Sequence, residues 1–265
     1  MTTIRPISVE EDSVALTHYS LSQQGDRTYN EDAYCHVRDD GIVSFAVADG
    51  MGGASGGMQA SAIAMSAVRE HALTLDANDL SQQFVAISSA IKHAQQTTPE
   101  HSGMCTTIAE LRIDTYSQQA IWAHWGDTRI YWFRENELVS VTEDHSVVQS
   151  LVTAGLLSQE EAARYSKRNV LLGAAGATCE VEPCVLAAPV PIADGDAFLI
   201  CTDGVWSMVD TPFIEQALSQ AISVQDWIDA IMKQVAIVGH GSNDNFTATG
   251  VWVTSGDEKT ISMAL

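Results

Sequence analysis

The 265-residue chain is short of basic side chains. It has 13 Lys and Arg against 34 Asp and Glu, a formal net charge of −21. Such a chain repels phosphate backbones and anionic lipid surfaces, which speaks against nucleic acid and membrane as partners and leaves cations as natural ligands. It lacks any run of about 18 apolar residues, the signature of a membrane helix. Its first residues, MTTIRPISVEED, have neither a basic start nor an apolar core, so no signal peptide is expected. The five cysteines (Cys35, Cys105, Cys179, Cys184 and Cys201) are scattered and form no CxxC pair. Free, mostly buried thiols in a reducing, cytoplasmic compartment are expected. There is no HExxH and no His pair at helical spacing to hold zinc. There is no DxDxDG loop of an EF-hand, and the Gly-rich stretch GMGGASGG lacks the Lys-Ser/Thr of a P-loop.

What is present begins at Phe45. The apolar run Phe45-Ala46-Val47-Ala48 ends in Asp49, and Gly50, Met51, Gly52 and Gly53 follow. This reads as a buried strand running into a bare loop, where backbone can approach a ligand closely. Taken alone, Asp49 fits an Asp-Gly turn better than a metal site. The pattern recurs, however. Phe198 to Thr202 is another apolar run, ending in Asp203-Gly204. Asp127 follows Gly126 between two strand-like stretches, and Asp244 leads from a Gly-Ser-Asn loop into a last strand.

Around these acids the pattern predicts strands at Val14–Leu21, Ala33–Val37 and Ile42–Ala48, the last two joined by a turn at Asp39-Asp40-Gly41. Helices are predicted over Gly56–Leu75 and from about Leu80 to Gln96, the second started by Asp79 with Gln82 in a capping-box-like pair. Strands at Thr106–Ile113, Ala120–Trp125, Arg129–Phe133 and Leu138–Val141 should pair as an antiparallel meander. Residues 144–176 read as a helical insertion: a short helix over Ser146–Ala154 closed by Gly155, then another short helix capped by Ser158 with Glu161. It carries one of the few basic spots, Tyr165-Ser166-Lys167-Arg168-Asn169. Strands at Val181–Ala188 and Ala197–Thr202, helices from Thr211 and from Ser223 to near Gly239, and a strand at Phe246–Val253 complete the chain. With no repeat, linker or low-complexity tract, a single domain over residues 1–265 is expected.

Carboxylates gathered on one rim are costly unless a cation neutralises them, and oxygen-only ligands suit Mg²⁺ or Mn²⁺. Two such ions about 3.5–4 Å apart can share a bridging hydroxide and drive in-line attack on a phosphoryl centre. Arg27, in a Gly- and Asn-containing loop, could hold the phosphate through its guanidinium fork. It reads equally as a surface arginine paired with an acid.

The motifs GDRTYNEDA, FAVADGMGG, the Thr pair at Thr106, WGDTRIY, EDHSVVQSLVTAGLLSQEEA, CTDGVW and SNDNFTATGVWV occur in that order from Val14 to Val253. In this the chain resembles the metal-dependent protein serine/threonine phosphatases of the PP2C or PPM family, in their bacterial form. The resemblance implies an α+β, four-layer α/β/β/α sandwich of two central antiparallel sheets flanked by helices. It implies that Asp49 bridges two Mn²⁺ or Mg²⁺ ions with the Gly50 carbonyl beside it. Asp203 and Asp244 would hold one ion of the pair, and Asp127 with Asp203 a third, weaker one. Glu31 would act through water, Asn245 would support Asp244 or a bound water, Arg27 would grip the phosphate, and residues 145–175 would form a flap. Asp49, Asp203, Asp244 and Arg27 would then carry catalysis on a phosphoprotein, the substrate of a Ser/Thr kinase, in the cytoplasm. A catalytically weak phosphoprotein-binding regulator, or a phosphatase of phosphotyrosine or small metabolites, are the alternatives. Three positions depart from the family pattern. Met51 replaces a His able to protonate the leaving group, which would pass that task to metal-bound water. Cys105 replaces a Gly before the Thr pair, and Leu172-Gly173 replaces a Thr-Arg pair after the flap.

Overall fold

The computed structural model describes residues 13–256 apart from 54–55, 98, 168 and 180. The lead-in at residues 1–12, Arg168 of the basic spot and residues 257–265 lie outside the described residues. Strands β1 (Val14–Gln23), β2 (Asp32–Asp39) and β3 (Ile42–Met51) precede helices α1 (Gly56–Glu70) and α2 (Ala77–Thr97). Strands β4 (Cys105–Asp114), β5 (Gln119–Trp125), β6 (Arg129–Arg134) and β7 (Glu137–Val141) follow. The insertion holds α3 (Val147–Thr153) and α4 (Gln159–Ala163). Then come β8 (Cys184–Val185), β9 (Val190–Pro191), β10 (Ala197–Cys201), α5 (Asp203–Trp206), α6 (Thr211–Gln220), α7 (Val224–Gly239) and β11 (Phe246–Ser255).

The strands form two sheets, in the orders β1-β11-β10-β6-β7 and β2-β3-β4-β5-β8, with β9 also on β5. Every pairing is antiparallel. Strand alternation supplies the layers, because successive side chains leave opposite faces. On β3, Phe45 and Val47 pack between the sheets while Ala46 and Ala48 pack under α1 and α2. On β10, Phe198 and Ile200 enter the intersheet core while Leu199 and Cys201 face α6 and α7, around the fully buried Trp227. The result is the four-layer α/β/β/α sandwich. Among the described residues no helix is long and apolar enough to cross a membrane.

Four local expectations need correction. The meander breaks: β4 pairs with β5 and β6 with β7, but β5 and β6 lie in different sheets. Gly126-Asp127-Thr128 therefore crosses a seam and is no hairpin turn, with Gly126 at φ +107°. The first helix stops at Glu70, not Leu75. The cap of α2 is Asp76, whose carboxylate accepts from the Asp79 N–H at 2.8 Å, while Asp79 itself turns to Thr74, His71 and Arg112. The strand expected over Val181–Ala188 shrinks to Cys184–Val185, directly after Pro183, which offers no ladder donor.

The replacements at Cys105 and Gly173 have local accounts. Cys105 sits in regular β4 opposite Met51, where a Cβ is accommodated. A Cβ on Gly173 would lie 2.8 Å from Trp125 Nε1, so the packing of Trp125 leaves no room for a side chain there.

Candidate metal centre

The acids meet at one rim because of register. The Asp40-Gly41 turn has positive φ at both residues, the hairpin geometry that fixes β2 against β3. Asp32 thereby stands directly opposite Asp49. On the neighbouring strand, Thr107 pairs with Asp49, and the Thr106 hydroxyl donates to the Asp49 carbonyl at 2.8 Å. Thr107 and Thr128 share a hydroxyl–hydroxyl bond of 2.6 Å, fixing the seam turn that carries Asp127. In the other sheet Asp203 follows β10 and Asp244 precedes β11. Asp203 shares a hydrogen bond with Asp49.

The electrostatics record this proximity. Burial first, then the charges of Asp32, Asp203, Asp127 and Asp244, push Asp49 well above the ordinary carboxylate range. Burial and neighbouring carboxylates likewise raise Asp32 to about 7, Asp127 to about 8 and Asp203 to about 6. A raised carboxyl prefers to hold a proton, and a divalent cation between the carboxylates would relieve the same repulsion.

Arg27 lies at the mouth, 58% exposed, with its guanidinium 2.5 Å from the Asp244 carboxylate. Both sequence readings of this residue thus describe one position: it pairs with an acid, and that acid belongs to the rim. Asn245 is buried. Its amide donates to the Gln24 and Tyr29 carbonyls at 2.7 and 2.8 Å, and its carbonyl oxygen accepts from Glu31 N–H at 2.8 Å. It therefore knits the Arg27 loop and Glu31 to the start of β11, and its backbone N–H donates to Asp244.

The Gly-rich loop serves close approach. A Cβ on Gly50 would fall 2.0 Å from the Gly57 carbonyl oxygen, and one on Gly57 2.4 Å from Glu31 Oε1. Bare backbone at both places lets α1 start against the end of β3 with Glu31 wedged beside them.

The donor set fits hard divalent cations. It is all oxygen, negative, and drawn from five chain segments. Glu31 Oε1 and Asp32 Oδ1 are buried with no hydrogen-bond partner among the described residues, as a cation or its water would provide. The side chains are not closed on such an ion. Among the described residues no three His, Cys, Asp or Glu groups stand ready to hold a metal. Asp244 is engaged by Arg27, and Asp49 by Asp203.

Asp32 is the acid that residue-by-residue reading missed, although it lies inside GDRTYNEDA. It is buried, with Thr202 Oγ1 donating to it at 2.9 Å. Counting outward from the Asp40-Gly41 turn would have placed it opposite Asp49. Arg129, Asp144 and Trp206 were also missed. They line a cavity of about 700 Å³ that opens beside Asp203, Asp244 and Arg27, between the insertion and α5.

Comparison with known proteins agrees with this arrangement. The sequence profile described as protein phosphatase 2C matches residues 21–234. The chain is 31% identical to the serine/threonine phosphatase stp of Listeria welshimeri over 76% of its own length and 81% of that protein's. It is similar to the crystal structure of the serine/threonine phosphatase PstP/Ppp of Mycobacterium tuberculosis, with a TM-score of 0.78 and 28% identity over 91% of this chain and 99% of that one. A structure of the PstP catalytic domain in complex with two manganese ions has the same TM-score and identity, over 91% of this chain and 100% of that one.

Proposed function

Because this chain belongs to the protein phosphatase 2C family, we propose that it hydrolyses phosphoserine and phosphothreonine on proteins with the help of two Mn²⁺ or Mg²⁺ ions. Water adds to phosphorus, the P–O bond to the side-chain oxygen breaks, and the products are the free hydroxyl and inorganic phosphate. The observation that carries this reading is the rim itself. Asp32, Asp49, Asp127 and Asp203, all with raised proton affinity, gather with Asp244 from both sheets next to an exposed arginine.

Asp49, Asp203 and Asp244 would hold the ion pair, with the Gly50 carbonyl, Glu31 and Asp32 completing it and Asp127 with Asp203 serving a third, weaker ion. When bound, such ions supply positive charge to the phosphoryl oxygens and acidify the attacking water. Arg27 would release Asp244 to the metal and turn its fork to the phosphate, exchanging one anion for another. Met51 has a thioether that cannot donate a proton, so the leaving oxygen draws no proton from that position. The cavity beside the rim would take the polypeptide around the phosphorylated residue, and the phosphoprotein would be the product of a Ser/Thr kinase.

Phosphate release from a phosphothreonine peptide, a phosphotyrosine peptide and a phosphorylated metabolite, each with Mn²⁺ and with chelator, tests the proposal. Metal-dependent release with preference for phosphothreonine is expected. Release unaffected by chelator would overturn the metal assignment. Preference for another substrate would overturn the protein Ser/Thr assignment.

A further inference from the structure

Beside the rim, but outside the set of acids, Arg129 is held by several partners at once. Arg129 Nε and Nη2 donate to both oxygens of Asp144 at 2.8 and 2.7 Å, and Nη1 donates to the Tyr131 hydroxyl at 3.2 Å. Its guanidinium carbon also lies 3.6 Å from the ring centroid of Trp206. Trp206 in turn donates Nε1–H to the Asp127 carbonyl at 2.8 Å. Trp206 closes the single helical turn that Asp203 begins. Arg129 begins β6, two residues after Asp127, and pairs with Cys201 at the end of β10.

These contacts triangulate two acids that come from distant parts of the chain. Asp127 rides on a seam turn and Asp203 on a four-residue helix, and neither is held by a long ladder of its own. Trp206 bridges the two supports, and Arg129 lies over the face of the Trp206 ring. Asp144, at the root of the insertion, holds Arg129 in turn. Next to it, Gly126 N–H donates to His145 Nδ1 at 3.2 Å and His145 N–H to the Gly126 carbonyl at 2.9 Å, so the insertion root also grips the seam. A half-buried, bidentate pair of this kind is weak evidence of stabilisation, because desolvation offsets much of its attraction. Its contribution is geometric: only a planar fork can satisfy Asp144 and lie flat on an indole at once.

We infer that Arg129 is a positioning residue for the metal centre, which sets the Asp127 turn and the Asp203 helix in register through Trp206. It touches neither substrate nor ion in this role. The inference rests on the proposed metal-dependent reading of the rim. It goes beyond that reading in assigning metal affinity to a cation and an indole that are not ligands.

The same molecule supplies a control. Arg134, farther along β6, makes an equivalent bidentate pair with Asp196 at 2.7 and 2.8 Å and lies over Trp132 at 5.0 Å. It has no contact with the acids of the rim. Full-length wild type, Arg129→Lys, Trp206→Phe and Arg134→Lys would be compared by Mn²⁺ titration calorimetry and by thermal unfolding in chelator. Arg129→Lys keeps the charge but loses fork and stack, and Trp206→Phe keeps an aromatic face but loses the bond to Asp127. Loss of such supporting groups weakens metal binding about 10- to 100-fold. We expect that loss in both rim variants and unchanged Mn²⁺ affinity in Arg134→Lys, whatever the shifts in melting temperature. Wild-type Mn²⁺ affinity in folded Arg129→Lys and Trp206→Phe would overturn the inference and leave the phosphatase reading standing. A wild-type protein that takes up no Mn²⁺ would overturn both.

Discussion

Asp32 and Asp49 face each other in adjacent antiparallel strands, two carboxylates in direct register at the end of a hairpin. Like charges in that relation repel and destabilise a sheet unless something between them is positive. The Asp32→Asn variant removes one charge while keeping an oxygen to accept from Thr202. In chelator it should melt at a higher temperature than wild type. With Mn²⁺ the order should reverse, because a donor to the ion is lost. Paired melting curves check this, and a variant less stable in both conditions would show Asp32 to be purely structural.

The same repulsion fixes a pH dependence. Unfolded aspartates titrate near 3.9, whereas in the folded chain Asp203 is raised to about 6, Asp32 to about 7 and Asp127 to about 8. A raised carboxyl contributes stability below its unfolded value and loses it as pH rises through its folded one. Metal-free protein should therefore lose melting temperature between about pH 6.5 and 8. Below that range His145, held down at about 4 by burial and by His124, works in the opposite direction, since the unfolded chain takes up its proton first. Saturating Mn²⁺ should flatten the upper limb. Melting temperature against pH, with and without metal, is the measurement, and an equal slope in both would count against the rim as the origin.

Arg27 is exposed and tied to Asp244 by one ion pair. An exposed pair contributes about 0–1 kcal/mol, so it can open readily when a phosphate arrives. Arg27→Ala should raise KM for a phosphothreonine peptide by more than it lowers kcat, with Mn²⁺ affinity not reduced because no ligand is removed and Asp244 is freed. Steady-state kinetics at saturating Mn²⁺ decide it. An unchanged KM would remove Arg27 from the phosphate site.

The strands were legible wherever apolar residues alternate or run unbroken, and so were the acids that terminate them. Asp49 and Asp203 stand out because a strand pattern stops at each. Asp32 was obscured because it begins a strand in a polar, turn-rich motif, although hairpin register alone would have matched it to Asp49. Asp127 was visible as a residue but not as a place, since a Gly-Asp between two strands resembles a hairpin whether or not the chain changes sheets. The contact between Arg129 and Trp206 had no local signal. It joins residues far apart in sequence, and neither periodicity nor spacing encodes a stack of that kind.

The start of α2 shows how one ambiguity can be resolved by measurement. Asp76 and Asp79 both precede an apolar helical pattern, and spacing alone favoured Asp79 with Gln82. In the fold Asp76 accepts from the Asp79 N–H at 2.8 Å. Asp79 instead accepts from Arg112 Nη1 at 3.0 Å and from the Thr74 hydroxyl at 2.7 Å. Arg112 is fully buried beside Glu110, also fully buried. Asp76→Ala should cost about 1 kcal/mol, the ordinary loss of a helix cap. Asp79→Ala removes one of the charged groups that satisfy a buried guanidinium and should cost about 2–3 kcal/mol. Both sites are remote from the rim acids in the contacts they make, so Mn²⁺ affinity should stay at the wild-type value in each. Denaturant unfolding of the two variants orders the costs, and an Asp76→Ala variant as stable as wild type would remove Asp76 as the cap.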